Sequence, residues 1–375
     1  MPRTPGYPGR VVPVILGMPT VRRSGPPAAP ADRPEDPRLL DRFGRVATDL
    51  RVSLTDRCNL RCSYCMPPEG LPWLAGDEVL TDAEVVRLVT VAVEHLGVTR
   101  VRLTGGEPLL RRGLEAIVRG VKTSRTARGM APDVALTTNG IGLEHRARSL
   151  AEAGLDRVNV SLDSLDRARF ARITLRDRLP DVLAGLRAAV AAGLAPVKIN
   201  AVLLRGVNDD EAVPLLRWAL RNGYRLRFIE QMPLEPHGTW RRSDLVTARE
   251  ILDLLSTEFG LVPVHSSVRG AAPAETWLVE RPDGVGGRAE VGIVAAVTRP
   301  FCGDCDRTRL TADGQIRTCL FARTETDLRS LLRAGASDAE LAETWRVAMW
   351  GKQAGHGIGE ASFLRPERPM SAIGG

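Results

Sequence analysis

Six apolar runs of strand length alternate with helical stretches, and that alternation constrains the chain more than any other feature. The runs are Leu50–Leu54, Val101–Thr104, Val134–Thr137, Val158–Leu162, Val197–Leu204 and Leu226–Ile229. Helical periodicity runs through Thr81–Leu96, Glu144–Ala153, Pro180–Ala192, Glu211–Arg221 and Thr247–Phe259. The first helix opens on Thr81-Asp82-Ala83-Glu84, a capping box. Such alternation makes a parallel sheet covered by helices. A closed βα barrel has eight units and this chain shows six, so the predicted α/β fold is an open, partial (β/α)6 barrel. Polar residues cluster where the strands end, at Thr55-Asp56-Arg57, Gly105-Gly106-Glu107, Thr138-Asn139-Gly140, Asp163-Ser164 and Glu230-Gln231-Met232. In βα barrels those C-terminal strand ends carry the chemistry.

The flanks read differently. Residues 1–38 hold ten prolines and no periodicity, and are expected to be a disordered extension. The barrel is expected over 39–260. Over 261–375, short strands are expected at Val262–Val264, Thr276–Val279 and Val291–Val297, with turns at Asp283-Gly284 and Gly286-Gly287. A helix capped by Ser337 follows at Asp338–Met349, and the chain ends in Ile373-Gly374-Gly375. No run approaches 18 apolar residues, which excludes a membrane-spanning helix, and Pro13 interrupts the short apolar piece near the start. A cytoplasmic protein is expected.

The net charge of +7 invites a nucleic-acid reading, yet residues 1–38 alone supply six Arg against Asp32, Glu35 and Asp36. With aromatics at 4% and no basic run interleaved with them, a nucleic-acid face has little support. A pocket for a phosphorylated small molecule accounts equally well for a mild positive excess.

Six cysteines fall into two groups of three, with none left over. Cys58, Cys62 and Cys65 form CxxxCxxC after the first strand; Cys302, Cys305 and Cys319 lie far downstream. In a cytoplasmic chain such clusters signal metal or redox chemistry more often than disulfides. Three thiolates on one loop hold three corners of a cubane iron–sulfur cluster and leave the fourth iron open. Structural zinc prefers paired CxxC knuckles with four protein ligands, and the spacing leaves that alternative standing for either group. Arg307 and Arg309, just after Cys305, are suited to phosphate, or are a solvated face.

CxxxCxxC with Tyr64 before its third cysteine resembles the signature of radical S-adenosylmethionine (SAM) enzymes. Gly105-Gly106-Glu107-Pro108, one strand later, resembles their GGEP element. The wider set is similar to one family, the GTP 3′,8-cyclases of molybdenum cofactor biosynthesis. It comprises Asp49-Leu50-Arg51-Val52-Ser53-Leu54-Thr55-Asp56-Arg57-Cys58-Asn59, Arg102-Leu103-Thr104, Thr137-Thr138-Asn139-Gly140 and Val160-Ser161-Leu162-Asp163. Lys198-Ile199-Asn200, Phe228-Ile229-Glu230-Gln231-Met232-Pro233, Met370-Ser371 and the Gly-Gly end complete it.

The resemblance implies two [4Fe-4S] clusters, one on Cys58, Cys62 and Cys65, the other on Cys302, Cys305 and Cys319. It implies SAM beside Tyr64, Gly106, Ser161 and Met232. GTP would meet Arg51, Arg102, Thr137, Lys198, Arg307, Thr308 and Arg309, with the tail residues Gly374 and Gly375 needed for turnover. The implied reaction makes 3′,8-cyclo-7,8-dihydro-GTP. The implied partners are an electron donor, a second copy of the chain in a homodimer, and cyclic pyranopterin monophosphate synthase as the next enzyme. The rival readings are another radical SAM enzyme with an auxiliary cluster and a zinc-bearing nucleic-acid-binding protein.

Overall fold

A computed structural model describes residues 21–23, 30–235, 238, 240–264, 269–280, 288–360 and 363–374. The six expected strands are β2 (Asp49–Ser53), β3 (Arg100–Thr104), β4 (Asp133–Thr138), β5 (Arg157–Ser161), β6 (Lys198–Val202) and β7 (Arg225–Ile229), after a short β1 (Val21–Arg23). They lie side by side in chain order, every neighbouring pair parallel. The later strands are β8 (Leu261–Pro263), β9 (Glu275–Glu280), β10 (Arg288–Val294), β11 (Arg307–Leu310), β12 (Gln315–Arg317) and β13 (Thr324–Asp327). They join the same sheet at both flanks: β10 pairs parallel with β7, and β11 pairs parallel with β2. The sheet stays open, with β1 at one edge and β8 at the other.

Strand alternation explains the layering. Leu50, Val52, Val101, Leu103, Val134, Leu136, Val158, Val160, Ile199, Ala201, Leu226 and Phe228 are buried in the main core. Between them, on the opposite face, stand Arg51, Arg102, Thr137, Asn159, Ser161, Asn200 and Arg227. Successive side chains of a strand point to opposite faces, so the apolar set packs under the helices and the polar set lines the inside.

The described helices include α1 (Asp82–His95), α2 (Leu114–Thr123), α3 (Leu143–Glu152), α4 (Arg167–Thr174), α5 (Leu179–Ala191), α6 (Ala212–Arg221) and α7 (Ala248–Ser256). After them come α8 (Leu328–Arg333), α9 (Asp338–Trp350) and a last turn, α10 (Met370–Ile373). The capping box of α1 forms, with Glu84 N–H donating to Thr81 Oγ1 at 3.2 Å and Thr81 N–H to Glu84 Oε2 at 2.7 Å. Ser337 and Glu340 cap α9 in the same way. None of the described helices is long and apolar enough to cross a membrane.

The expected limit of the N-terminal extension falls too late. Residues 30–38 are packed: Arg33 pairs with Glu343, and Trp350 Nε1 donates to Asp32 Oδ1 at 3.3 Å. Val21–Arg23 pair parallel with β13. These contacts come from residues more than 300 positions away, which composition does not register. The rest of the extension, and the turns expected at Asp283-Gly284 and Gly286-Gly287, lie outside the described residues.

Gly185, inside α5, shows how tightly the helices sit on the sheet. A Cβ built there meets the Gly140 carbonyl oxygen at 2.5 Å. Helical Gly→Ala ordinarily stabilises by about 0.5–1 kcal/mol. Here the sign should reverse: Gly185→Ala is expected to destabilise by roughly 1–3 kcal/mol through overpacking. Thermal unfolding of the two proteins checks it, and an unchanged or raised midpoint contradicts this packing.

Candidate functional site

All six cysteines line one cavity at the C-terminal ends of the strands. All are free thiols. The first triad sits on the loop after β2, and α4 holds that loop in place. Arg61 N–H donates to Thr174 O and Ser63 N–H to Ile173 O, each at 2.9 Å. Asn139, after β4, donates to Asn59 Oδ1 at 2.6 Å and reaches Cys58 Sγ at 3.9 Å. Burial pushes the Cys58 thiol up, the Cys65 thiol to about 12, and the Cys62 thiol well above the ordinary range. Protonated thiols are thus the stable form until a metal takes the place of the protons.

Gly105 and Gly106 close the other side. Gly105 has φ +140°, and a Cβ there would meet Thr55 O at 2.5 Å. Gly106 N–H donates to Thr55 O at 2.7 Å, so the end of β3 lies directly against the cysteine loop. The Glu107 carboxylate accepts from Leu109 N–H at 2.9 Å, Thr138 Oγ1 at 2.7 Å and Asn139 N–H at 2.7 Å. Burial pushes its pKa up to about 7. It is a brace between the loops after β3 and β4. Tyr64 donates to Asp163 Oδ2 at 2.7 Å, and Ser161 and Met232 line the same wall.

The second triad lies beside β11. Arg45 donates to Cys302 O at 2.6 Å and Ala354 O at 2.8 Å. Lys352, buried at 3% exposure, donates to Cys305 O and Arg307 O at 2.9 Å each and reaches Cys305 Sγ at 3.5 Å. Burial alone would raise the Cys305 thiol; the charges of Arg307 and Lys352 outweigh it and bring it down to about 7. Among the described residues, no three His, Cys, Asp or Glu side chains converge as a single ion requires. A cubane takes one thiolate per iron corner, and each triad offers three free thiols on one cavity wall, which fits that donor chemistry.

Between the triads runs a row of cations. In register, Arg309 pairs with Arg51 and Arg51 with Arg102, across β11, β2 and β3. Arg307 and Arg227 line the cavity beside them. Burial, reinforced by mutual repulsion, holds Arg102 well below the ordinary guanidinium range, Arg309 at about 9 and Arg227 at about 10. Arg51 is also lowered, chiefly by burial, although Asp49 lies 3.5 Å away. Among the described residues, the buried Nε–H groups of Arg102 and Arg307 and the Oδ1 of Asn200 have no hydrogen-bond partner. Arginine does not deprotonate, so these shifts report the cost of burying guanidinium charges, with repulsion from neighbouring arginines adding to it. A polyanion would offset that cost.

Most of the expected residues meet here: Arg51, Tyr64, Arg102, Gly106, Thr137, Ser161, Met232, Arg307 and Arg309 all line the cavity. Thr308 does not. It is 0% exposed, and its hydroxyl accepts from Trp345 Nε1 at 3.0 Å. Strand parity is the reason: Arg307 and Arg309 share one face of β11, and Thr308 belongs to the other. Lys198 is half-buried and outside the cavity wall, two residues before Asn200 on the same face. Burial and then Arg227 bring its pKa down to about 7. Gly374 sits behind the wall, its carbonyl accepting from Arg309, while Met370 and Ser371 line the cavity. Gly375 lies outside the described residues. Sequence reasoning missed Arg227, Asn200 and Lys352; the first two follow from parity on β6 and β7, whereas Lys352 stands in a loop with no local signal.

Comparison with known proteins places these features. Residues 52–219 match the Radical SAM superfamily, and residues 224–358 match Molybdenum Cofactor Synthesis C. The crystal structure of Streptococcus suis SuiB bound to S-adenosylmethionine shares the fold at TM-score 0.55 and 12% identity, covering 88% of this chain and 76% of that one. Three relatives named GTP 3′,8-cyclase are far more similar. That of Corynebacterium glutamicum is 59% identical, covering 90% of this chain and 89% of the relative. That of Mycolicibacterium smegmatis is 58% identical over 96% and 99%, and that of Streptomyces coelicolor 60% over 90% and 96%. With such identity along nearly the whole of each partner, the chain belongs to the GTP 3′,8-cyclase family of radical SAM proteins.

Proposed function

We propose that this protein converts GTP to (8S)-3′,8-cyclo-7,8-dihydroguanosine 5′-triphosphate, the first step of molybdenum cofactor biosynthesis, with SAM as co-substrate. The observation that supports the reading is a single cavity receiving two cysteine triads and a row of buried arginines, of which Arg51 is partly offset by Asp49. Cys58, Cys62 and Cys65 would hold the [4Fe-4S] cluster that binds SAM, and Cys302, Cys305 and Cys319 a second one. When bound, the first cluster and SAM would supply the radical chemistry for hydrogen abstraction at the 3′ position of GTP, given an electron from a reduced donor.

The chain's own residues do the rest by position. Gly106, Tyr64, Ser161 and Met232 would orient SAM against the first triad. Arg51, Arg102, Arg307 and Arg309 would neutralise the triphosphate, with Thr137 beside them and Lys198 adding charge from deeper in the barrel. A polyanion there favours the protonated form of Lys198, so substrate and lysine stabilise each other. Arg307 is held for this task by Phe301, whose ring centroid lies 4.4 Å from its guanidinium. The tail would complete the wall: Gly374 has φ +82°, and a Cβ on it would run into Thr104 Oγ1. In this reading the protein is a cytoplasmic homodimer that takes electrons from a reduced donor. Its product passes to cyclic pyranopterin monophosphate synthase.

The two sites should separate cleanly. Changing Cys58, Cys62 and Cys65 to Ala is expected to abolish 5′-deoxyadenosine formation and remove about half the iron and sulfide, since each triad serves one cluster. Anaerobic purification with iron, sulfide and product analysis tests it, and continued SAM cleavage by the variant contradicts the first site.

Arg307→Ala should weaken GTP binding by roughly 10- to 100-fold, the loss of a charge-assisted contact of about 1.5–3 kcal/mol. Equilibrium binding alongside an iron assay reads the effect. Lost iron with normal GTP affinity in the remaining holoprotein would make Arg307 a structural residue.

The tail supplies a third outcome. Gly374→Ala forces a side chain into positive φ and against Thr104. Cyclised product should fall at least tenfold while iron content and SAM binding hold. Chromatography of the products on iron-matched samples decides it, and a wild-type yield would reduce the tail to packing.

A further inference from the structure

Lys352 is one of three lysines in a chain of 52 basic residues, and it is the one buried to 3% exposure. It stands two residues beyond the end of α9, at the back of the second cysteine loop and outside the cavity wall. Its ammonium faces three acceptors: Cys305 O at 2.9 Å, Arg307 O at 2.9 Å and Cys305 Sγ at 3.5 Å. Three acceptors match the three donors of a protonated ammonium; a neutral amine has only two. No carboxylate among the described residues forms an ion pair with it. Asp41 and Cys319 attract its charge and Arg45 opposes it, all without contact, so its contacts are the thiol and the two carbonyls that flank it.

We infer that Lys352 is a positioning residue of the second cluster, donating an N–H···S hydrogen bond to the Cys305 sulfur and so raising that cluster's reduction potential. The inference rests on the second triad holding a cluster. Hydrogen bonds to cluster sulfurs and buried charge are levers that set such potentials. A donor on a ligand sulfur withdraws electron density from the iron and favours the reduced form. The two carbonyl contacts do a second job. They join the ligand Cys305 to Arg307 through one side chain, so the cluster corner and the first guanidinium of the cation row keep a fixed spacing.

Lys352→Met keeps length and apolar volume and removes the charge and the donors; Lys352→Arg keeps both. In holoprotein containing both clusters, EPR-monitored redox titration reads each cluster. At a fixed solution potential, Lys352→Met should lower the reduced-to-oxidised ratio of the second cluster at least tenfold, 59 mV for a one-electron couple. The first cluster should not move, and Lys352→Arg should restore most of the shift. An unchanged second potential in Lys352→Met protein that keeps both clusters overturns the inference. Selective loss of the second cluster from that variant overturns it too, leaving Lys352 an assembly contact. Wild-type protein with iron and sulfide for one cluster would instead sink the second-cluster assignment, a separate failure visible before any lysine is changed.

Discussion

Like charges held side by side on neighbouring strands are the constraint on which the rest of this structure depends. Arg309, Arg51 and Arg102 occupy one register row across β11, β2 and β3. Neighbouring strands lie roughly 4.8 Å apart. At an effective dielectric near 20, two bare like charges that far apart would repel by about 3.5 kcal/mol. Such a row costs stability, relieved for Arg51 in part by Asp49. The opposite faces of the same strands offset the cost, because Leu50, Val52, Val101 and Leu103 are completely or almost completely buried under the helices. A single alternation thus produces both the core and the cavity: one face stabilises, and the other gathers buried cations, the face to which the proposed function assigns the triphosphate.

The two halves of the chain are bound together by that arrangement. β11 belongs to the C-terminal region, yet it supplies Arg309 to the row begun by β2 and β3, and Arg307 beside it, in register with Asp49. On the far flank, the Glu230 carboxylate at the end of β7 accepts from Ala248 N–H at 2.8 Å, Val297 N–H at 2.9 Å and Thr298 N–H at 2.8 Å. Arg309 donates to the Gly374 carbonyl, and Arg368 pairs with Asp313, so the tail is fastened to the same strands that present the cations. The second cysteine group reaches the first because the sheet continues on both sides of the six-stranded centre.

Much of this was legible in the residues. The six central strands came through because each carries a short run of branched apolar side chains, and α1 and α9 because their capping boxes announce them. The cysteine spacing and the glycine pair pointed to the cavity without any coordinates. What stayed hidden has physical reasons. α4 is rich in arginine and has little apolar periodicity, yet it holds the first cysteine loop. β11 opens on Arg307-Thr308-Arg309, which resembles a loop until its parallel pairing with Asp49–Val52 of β2 is seen. Thr308 was expected beside GTP from the family resemblance, whereas parity sends its side chain to Trp345. Residues 30–38 are ordered by Glu343 and Trp350, contacts that no local pattern records.

The central claim is that two iron–sulfur clusters share this one cavity. Anomalous diffraction at the iron and zinc edges, on anaerobically grown crystals, tests it most directly. The account predicts iron peaks at both triads, opening onto the same cavity, and no zinc peak. Iron at Cys58, Cys62 and Cys65 with zinc at Cys302, Cys305 and Cys319 would contradict it.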